Sequence, residues 1–234
     1  MEAIVLAGGY GTRLRAVVSD VPKPMAPVAG RPFLEIVLDR LAQSGFTRVV
    51  LAVGYLSNVI IQHFGESYAG MDIDYVTEDQ PLGTGGAMRQ ALDVCQQDPV
   101  FVFNGDTYLG LEIQRVMSLW QAHQQPILVA RHIAEVSRYG SVALDAQGFF
   151  AGFSEKGLKG PGLINAGCYV LPRHILNAFP VGKAFSLETD YLAQLPADVT
   201  MQVFVTQGLF IDIGVPDDYM AAQGLFAGDF ADKP

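Results

Sequence analysis

Charged residues make up only 17% of this 234-residue chain, against 50% hydrophobic, a shortage that excludes wholesale disorder and leaves material for a substantial core. Cysteine is scarce too. Cys95 and Cys168 lie far apart with no C-x-x-C pair, so they read as reduced core thiols of a cytoplasmic protein. The longest apolar-leaning stretch, Val49 to Ile61, is broken by Gly54, Ser57 and Asn58 and falls short of the ~20 residues that cross a bilayer. The chain opens on a strand pattern instead of a charged and apolar leader, and no membrane partner is expected. Basic residues do not dominate: the net charge of −9 argues against nucleic acid as a partner. The four histidines, His63, His123, His132 and His174, show no ligand spacing and no companion nucleophile. Internal repeats and low-complexity segments are absent.

What the chain does carry is a glycine turn near its start. Glu2-Ala3-Ile4-Val5-Leu6-Ala7 has the nearly all-apolar pattern of a strand buried on both faces. It runs into Gly8-Gly9-Tyr10-Gly11-Thr12-Arg13-Leu14, and then Pro22-Lys23-Pro24-Met25. Glycines let the backbone take positive φ and let a ligand approach the main chain, and their amides can converge on an anion. Arg13 and Lys23 add fixed positive charge, which suits a polyphosphate. Neither common phosphate motif fits: no G-x-x-x-x-G-K-[ST] is present, and G-x-G-x-x-G fails because Leu14 stands where its third glycine belongs. Residues 1–31 hold Arg13, Arg15, Lys23 and Arg31 against Glu2 and Asp20, a net of +2, which leaves −11 on the remainder. An acidic protein that gathers cations on its glycine turn is expected to bind a small anion there.

Downstream, the periodicity predicts a helix over 32–41, a buried strand over 47–53, a helix over 57–64 and a strand over 71–76. That alternation is the rhythm of a Rossmann-like α/β fold, a mixed, mostly parallel central sheet flanked by helices, whose ligands sit at the carboxyl ends of the strands. A second glycine-rich loop, Glu78 to Ala87, follows at such an end, with a helix expected from about Ala87 to Val94. Glu78 could accept two hydrogen bonds from the N1 and N2 edge of guanine, where uracil offers one, which weakly favours guanine; the alternative is an incidental loop carboxylate. The strand over 99–103 delivers Asn104-Gly105-Asp106-Thr107, which places Asp106 for Mg²⁺ held by one or two carboxylates and substrate oxygens. After a fifth strand over 126–130 come short antiparallel strands around Ala146-Gln147-Gly148 and a strand over 162–170. Ser186 opens a capped helix in which Glu188 either reaches a sugar hydroxyl or simply belongs to the cap. Asp212, before a Gly-x-Pro turn at the end of the last strand, reads as a second metal carboxylate, meeting Asp106 across the sheet. Asp217 and Asp218 read as first-turn helix acids, and 226–234 as a fraying tail.

Leu6-Ala7-Gly8-Gly9-x-Gly11-Thr12-Arg13-Leu14 followed by Pro22-Lys23-Pro24-Met25 resembles the signature of the sugar-1-phosphate nucleotidyltransferases, over roughly residues 1–220. The resemblance implies the nucleotide-diphospho-sugar transferase fold, without the hexapeptide-repeat β-helix that often accompanies it. One domain over 1–225 is expected, its nucleotide-binding half about 1–110 and its sugar-phosphate half about 111–225. By resemblance Leu6, Ala7, Gly8, Gly9, Gly11, Thr12, Arg13 and Lys23 bind the nucleotide, and Glu78, Gly83 and Gly85 contact its base. Arg13, Lys23 and Asp106 would be catalytic, with Mg²⁺ on Asp106 and Asp212. Lys156 would contact the sugar's phosphate, with Glu155, Asn165, Gly167 and Glu188 lining the sugar site and Gly140 beside them.

Three features bring the chain nearest to members that transfer a guanylyl group from GTP to a mannose-configured heptose 1-phosphate for a surface glycan. They are Leu14-Arg15-Ala16-Val17-Val18 where many relatives carry Pro-Leu-Thr, Pro24-Met25-Ala26-Pro27, and the ending Phe210 to Asp218. Two alternatives stand beside this reading: a uridylyl- or guanylyltransferase for a hexose or N-acetylmuramate 1-phosphate, and a non-catalytic sugar-nucleotide-binding regulatory subunit. The sequence leaves open whether the chain works as a homo-oligomer.

Overall fold

The computed structural model describes residues 1–9, 11, 14, 18, 20–139, 141–153, 159–196 and 199–228. In chain order the elements are β1 (Glu2–Leu6), β2 (Pro27–Val28), β3 (Arg31–Pro32), α1 (Phe33–Gln43), β4 (Arg48–Val53), α2 (Ser57–Phe64), β5 (Ser67–Tyr68) and β6 (Met71–Thr77). They continue with α3 (Gly83–Val94), β7 (Val100–Asn104), β8 (Thr107–Leu109), α4 (Ile113–His123), β9 (Ile127–Ile133), β10 (Val142–Leu144) and β11 (Phe150–Phe153). The chain closes with β12 (Gly162–Leu171), β13 (Gln202–Thr206), β14 (Phe210–Asp212) and α5 (Pro216–Ala227).

Eight strands form one sheet in the order β13-β9-β12-β7-β1-β4-β6-β5, so a single sheet spans both halves of the chain. The pairs β13–β9, β7–β1, β1–β4 and β4–β6 are parallel, while β12 runs against both β9 and β7. The expected mixed, mostly parallel sheet is therefore present, and β6, β4, β1, β7, β9 and β13 all end on the same rim. Burial explains why these strands are nearly all apolar. Ala3, Val5, Val49, Leu51, Phe101 and Phe103 face one core with Leu34 and Leu38 of α1, whereas Ile4, Val50, Ala52, Val100 and Val102 face a second core with Met88 and Ala91 of α3. A fully buried side chain of this size contributes about 1.5–3 kcal/mol. Cys95 and Cys168 are buried free thiols, as the absence of a C-x-x-C pair suggests.

Four expectations change. Helix α3 begins at Gly83, not near Ala87, so the second glycine cluster is the helix's first turn. The segment after Ser186 is a single widened turn over Leu187–Tyr191, with the Ser186 hydroxyl accepting from the Thr189 amide at 3.2 Å. Phe226 is not part of a fraying tail: it closes α5 and packs edge-on against Phe33 and Tyr108. Asp106 and Asp212 do not meet across the main sheet. They meet through a separate ladder, β8 against β14, in which Asp212 lies opposite Thr107 and the Ile213 amide donates to the Asp106 carbonyl at 3.0 Å.

That ladder depends on one close crossing. The Gly110 amide donates to the Leu209 carbonyl at 2.8 Å, and a Cβ on Gly208 would lie 1.7 Å from the Gly110 carbonyl oxygen. Gly208→Ala is therefore expected to push β14 off β8 and to destabilise the protein by about 2–3 kcal/mol. Denaturant unfolding measures this, and a variant as stable as the parent would contradict the crossing.

Candidate active site

The sequence places its glycine turn at the carboxyl end of β1, and the structure opens a cleft there. Leu6, Ala7, Gly8 and Gly9 form one wall, Lys23 and Pro24 a second, Pro81, Gly83, Thr84 and Ala87 a third, with Glu78, Asn104 and Asp106 at its floor and sides. The cleft holds about 290 Å³, and a neighbouring lobe of about 160 Å³ runs under Gly54, Tyr55 and Glu78 to Gln80. Backbone meets backbone at its base. A Cβ on Gly54 would lie 2.9 Å from the Gly8 carbonyl oxygen, and one on Gly8 would lie 2.7 Å from Glu78 Oε1. Only glycines let these three segments converge. A larger cavity of about 690 Å³ lies at the opposite rim of the sheet, beside Trp120, His174 and Phe179, and contains none of the expected site residues.

Lys23, Asp106 and Asp212 come together at the mouth of this cleft. Lys23 Nζ forms an ion pair with Asp106 Oδ2, and its stem packs on Gly11, where a Cβ would lie 2.7 Å from Lys23 Cβ. Asp212 Oδ1 accepts from the Gly214 amide at 2.6 Å. A Cβ on Gly214 would lie 2.7 Å from Asp212 Oδ1 and 3.2 Å from Lys23 Nζ, so ammonium and second carboxylate flank one small gap. Burial, followed by the Asp106 charge, pushes the Asp212 carboxyl above its ordinary range, with Lys23 and the Gly214 amide opposing. Two carboxylates forced together around one cation are a donor set that fits Mg²⁺, which takes one or two carboxylates and keeps its other positions for substrate oxygens and water. Among the described residues no three histidine, cysteine or acidic side chains cluster as an all-protein metal cage.

Glu78 is half-buried, and burial raises its carboxyl pKa against the lowering effect of the Leu82 amide, which donates to Oε2 at 2.8 Å. One carboxylate oxygen therefore already organises the turn before α3, and the other faces the Gly8 backbone. Gly83 lines the cleft. Gly85 does not. Its amide donates to the Phe185 carbonyl at 3.0 Å, and a Cβ there would lie 2.2 Å from the Phe185 ring, which stacks on Phe179 with centroids 4.1 Å apart. Its lack of a side chain makes room for the Phe185 ring.

On the other side, a register shift in β12 between Asn165 and Cys168 bulges Asn165 and Gly167 toward the end of β7. Gly167 adopts φ +68°, its amide donating to Asn165 Oδ1 at 3.0 Å, and a Cβ there would lie 2.6 Å from Asn104 Nδ2. Glu188 accepts from Thr84 Oγ1 at 2.8 Å and from Ser186 Oγ at 3.0 Å, so it links the Ser186 turn to the first turn of α3. Thr12, Arg13, Gly140, Glu155 and Lys156 lie outside the described residues. Sequence reasoning missed Asn104, Thr84 and Pro24 as cleft residues; each stands inside a motif it had marked, and position at a strand end would have found Asn104. It also took Asp218 only for a helix acid, whereas Asp218 pairs with Arg138 and ties that segment to α5.

A glycine turn, a lysine and two carboxylates on the carboxyl rim of a mostly parallel sheet define a nucleotide-handling α/β enzyme. The chain belongs to the nucleotidyl transferase family, whose model matches residues 2–227. It is 38% identical to the D-glycero-alpha-D-manno-heptose 1-phosphate guanylyltransferase of Campylobacter jejuni over 94% of this chain and 97% of that protein. It is likewise 38% identical to the protein of the same name from Aneurinibacillus thermoaerophilus, over 95% and 97%. The crystal structure of HddC from Yersinia pseudotuberculosis complexed with GMP-PN superimposes with a TM-score of 0.85 at 35% identity, covering 96% of this chain and 99% of that one. Among the described residues no helix is long and apolar enough to cross a membrane.

The ion pair yields a test. Lys23→Met keeps the packed stem but leaves Asp106 and Asp212 facing each other, and is expected to cost about 1–3 kcal/mol of stability. Thermal melts should show millimolar Mg²⁺ recovering part of that loss in the variant while barely moving the parent. Equal Mg²⁺ shifts in both proteins would contradict the assignment.

Proposed function

We propose that this nucleotidyltransferase joins GTP to D-glycero-α-D-manno-heptose 1-phosphate, giving GDP-heptose and pyrophosphate. The observation that carries the reading is the meeting of the glycine turn, Lys23, Asp106 and Asp212 at one rim of the sheet, beside a lobe floored by Glu78. The choice of GTP and heptose is supported by the likeness to the two guanylyltransferases and by a carboxylate with open lone pairs at the lobe where a guanine edge would lie. Asp106 and Asp212 would hold Mg²⁺, which when bound supplies charge neutralisation on the triphosphate.

The residues of the chain divide the remaining work. The amides of the Gly8–Gly9 turn face the triphosphate, and Lys23, released from Asp106, adds a cation to it. Asn165, Gly167 and Glu188 face the sugar, and by family likeness Lys156 anchors its phosphate. The attacking oxygen of a sugar phosphate is already an anion near neutral pH, since its second pKa is about 6, so no side chain need remove a proton. That oxygen bonds to the α-phosphorus as the α–β bridge breaks and pyrophosphate leaves. Two polyanions must be brought together, so catalysis here is positioning and charge compensation.

Pyrophosphate release should be measured with Mg²⁺, crossing GTP, UTP, CTP, ATP and dTTP with heptose, mannose, glucose and N-acetylmuramate 1-phosphates. Release confined to GTP with the heptose phosphate is the expected outcome; another pair would overturn the substrates, and none would overturn the activity. Asp106→Asn should lower kcat at least about a hundredfold, and Arg13→Ala should abolish turnover with the fold intact.

A further inference from the structure

Among the described residues Tyr169 is the largest side chain that is almost wholly buried, at 1% exposure, and it lies on β12 within reach of two of the residues assigned to the sugar. Its phenol oxygen accepts from Asn165 Nδ2 at 2.5 Å, and its O–H donates to Glu188 Oε1 at 3.3 Å. Directions in this chain are fixed. The Gly167 amide can only donate, so Asn165 Oδ1 must face it and Nδ2 must face the phenol. Burial and the Glu188 charge hold the phenol well above its ordinary pKa, so it keeps its proton and remains a donor. The other Glu188 oxygen is occupied by Thr84 and Ser186, and the Thr84 hydroxyl accepts from the Leu187 amide at 2.9 Å.

We propose that Tyr169 is a positioning residue for the sugar phosphate, a buried phenol that fixes the orientations of Asn165 and Glu188 and links them through Thr84 to the first turn of α3. Hydrogen bonds link Gly167, Asn165, Tyr169, Glu188 and Thr84 in one continuous series, and Asn165 and Glu188 each retain capacity for a further partner: an N–H on the amide and a lone pair on Oε1. The inference rests on the reading that these two residues face the sugar. It adds that their spacing is set by a residue that touches no substrate, and that the sugar and nucleotide sides share one hydrogen-bonded support.

Steady-state kinetics of the full-length enzyme test it. Tyr169→Phe preserves the packed ring and removes the hydroxyl. The KM for the sugar 1-phosphate should rise about fivefold, the effect of one hydrogen bond, with the KM for GTP unchanged. In a Glu188→Gln background the same substitution should add nothing, because the group it orients is already altered. Thr84→Val, which frees Glu188 from the α3 side, should move the sugar constant in the same direction and keeps the test open if Tyr169→Phe folds poorly. Equal changes in both KM values, a lower melting temperature with no change in the sugar constant, or additive effects with Glu188→Gln would overturn the proposal. A Glu188→Gln variant with an unaltered sugar KM would instead overturn the assignment of Glu188 to the sugar, and this inference with it.

Discussion

The constraint from which the structure follows is the position of β1, paired in parallel on both edges and buried on both faces. Its neighbours β4 and β7 align residue for residue with it, Ala3 against Val49 and Phe101, Val5 against Leu51 and Phe103. Such a strand leaves no room along its length for a polar side chain in contact with solvent. Chemistry is forced to where the strands stop. The glycine turn after Leu6, Gly54 after β4, Glu78 after β6 and Gly105-Asp106 after β7 all stand on that rim for one reason: each lies within two or three residues of the end of an apolar strand. Gly8 packs closely on Gly54 and Glu78 there, since a Cβ on Gly8 would lie 2.7 Å from Glu78 Oε1 and one on Gly54 2.9 Å from the Gly8 carbonyl oxygen.

Electrostatics then decides how the rim is arranged without substrate. Asp106 and Asp212 repel, and the partial burial of Asp212 sharpens the repulsion. Lys23 answers both from a short 3₁₀ turn, Lys23–Met25, whose flanking prolines fix its backbone. Its side chain is 9% exposed, so the charge is held in place rather than left in water. Under the proposed function the same cation would pass from these carboxylates to the phosphates of the substrate and keep the rim compensated in both conditions.

Much of this was legible in the sequence because it obeys local rules. Apolar runs marked the strands, a 3.6-residue period marked α1, and a carboxylate just beyond a buried strand marked Asp106. The failures have physical causes. Glycine is among the poorest helix residues, so Gly83 to Gly86 read as a loop; tertiary packing under Phe185 overrides that propensity, and no local pattern announces it. The ladder of β8 and β14 is three residues long, too short for any periodicity, yet it alone brings Asp106 to Asp212. The bulge at Asn165 and the role of Tyr169 depend on which atoms meet across the fold, and a tyrosine in an apolar strand looks like any core residue until its hydroxyl is traced. Phe226 was assigned to a tail because its partners, Phe33 and Tyr108, lie far behind it in the chain.

The order in which the rim residues occur along the chain has a consequence for synthesis. The glycine turn and Lys23 emerge from the ribosome first and Asp106 midway, but Asp212 sits on the last strand, which adds no area to the main sheet. A nascent chain released only as far as β13 holds every strand of the eight-stranded sheet, but it lacks Asp212 and also Ile211, Ile213 and Tyr219, which complete one of the two cores. The same last segment therefore completes both that core and the charged site. The last three-residue strand acts as a closing stitch, and the rim gains its full negative charge only after Lys23 is in place to receive it.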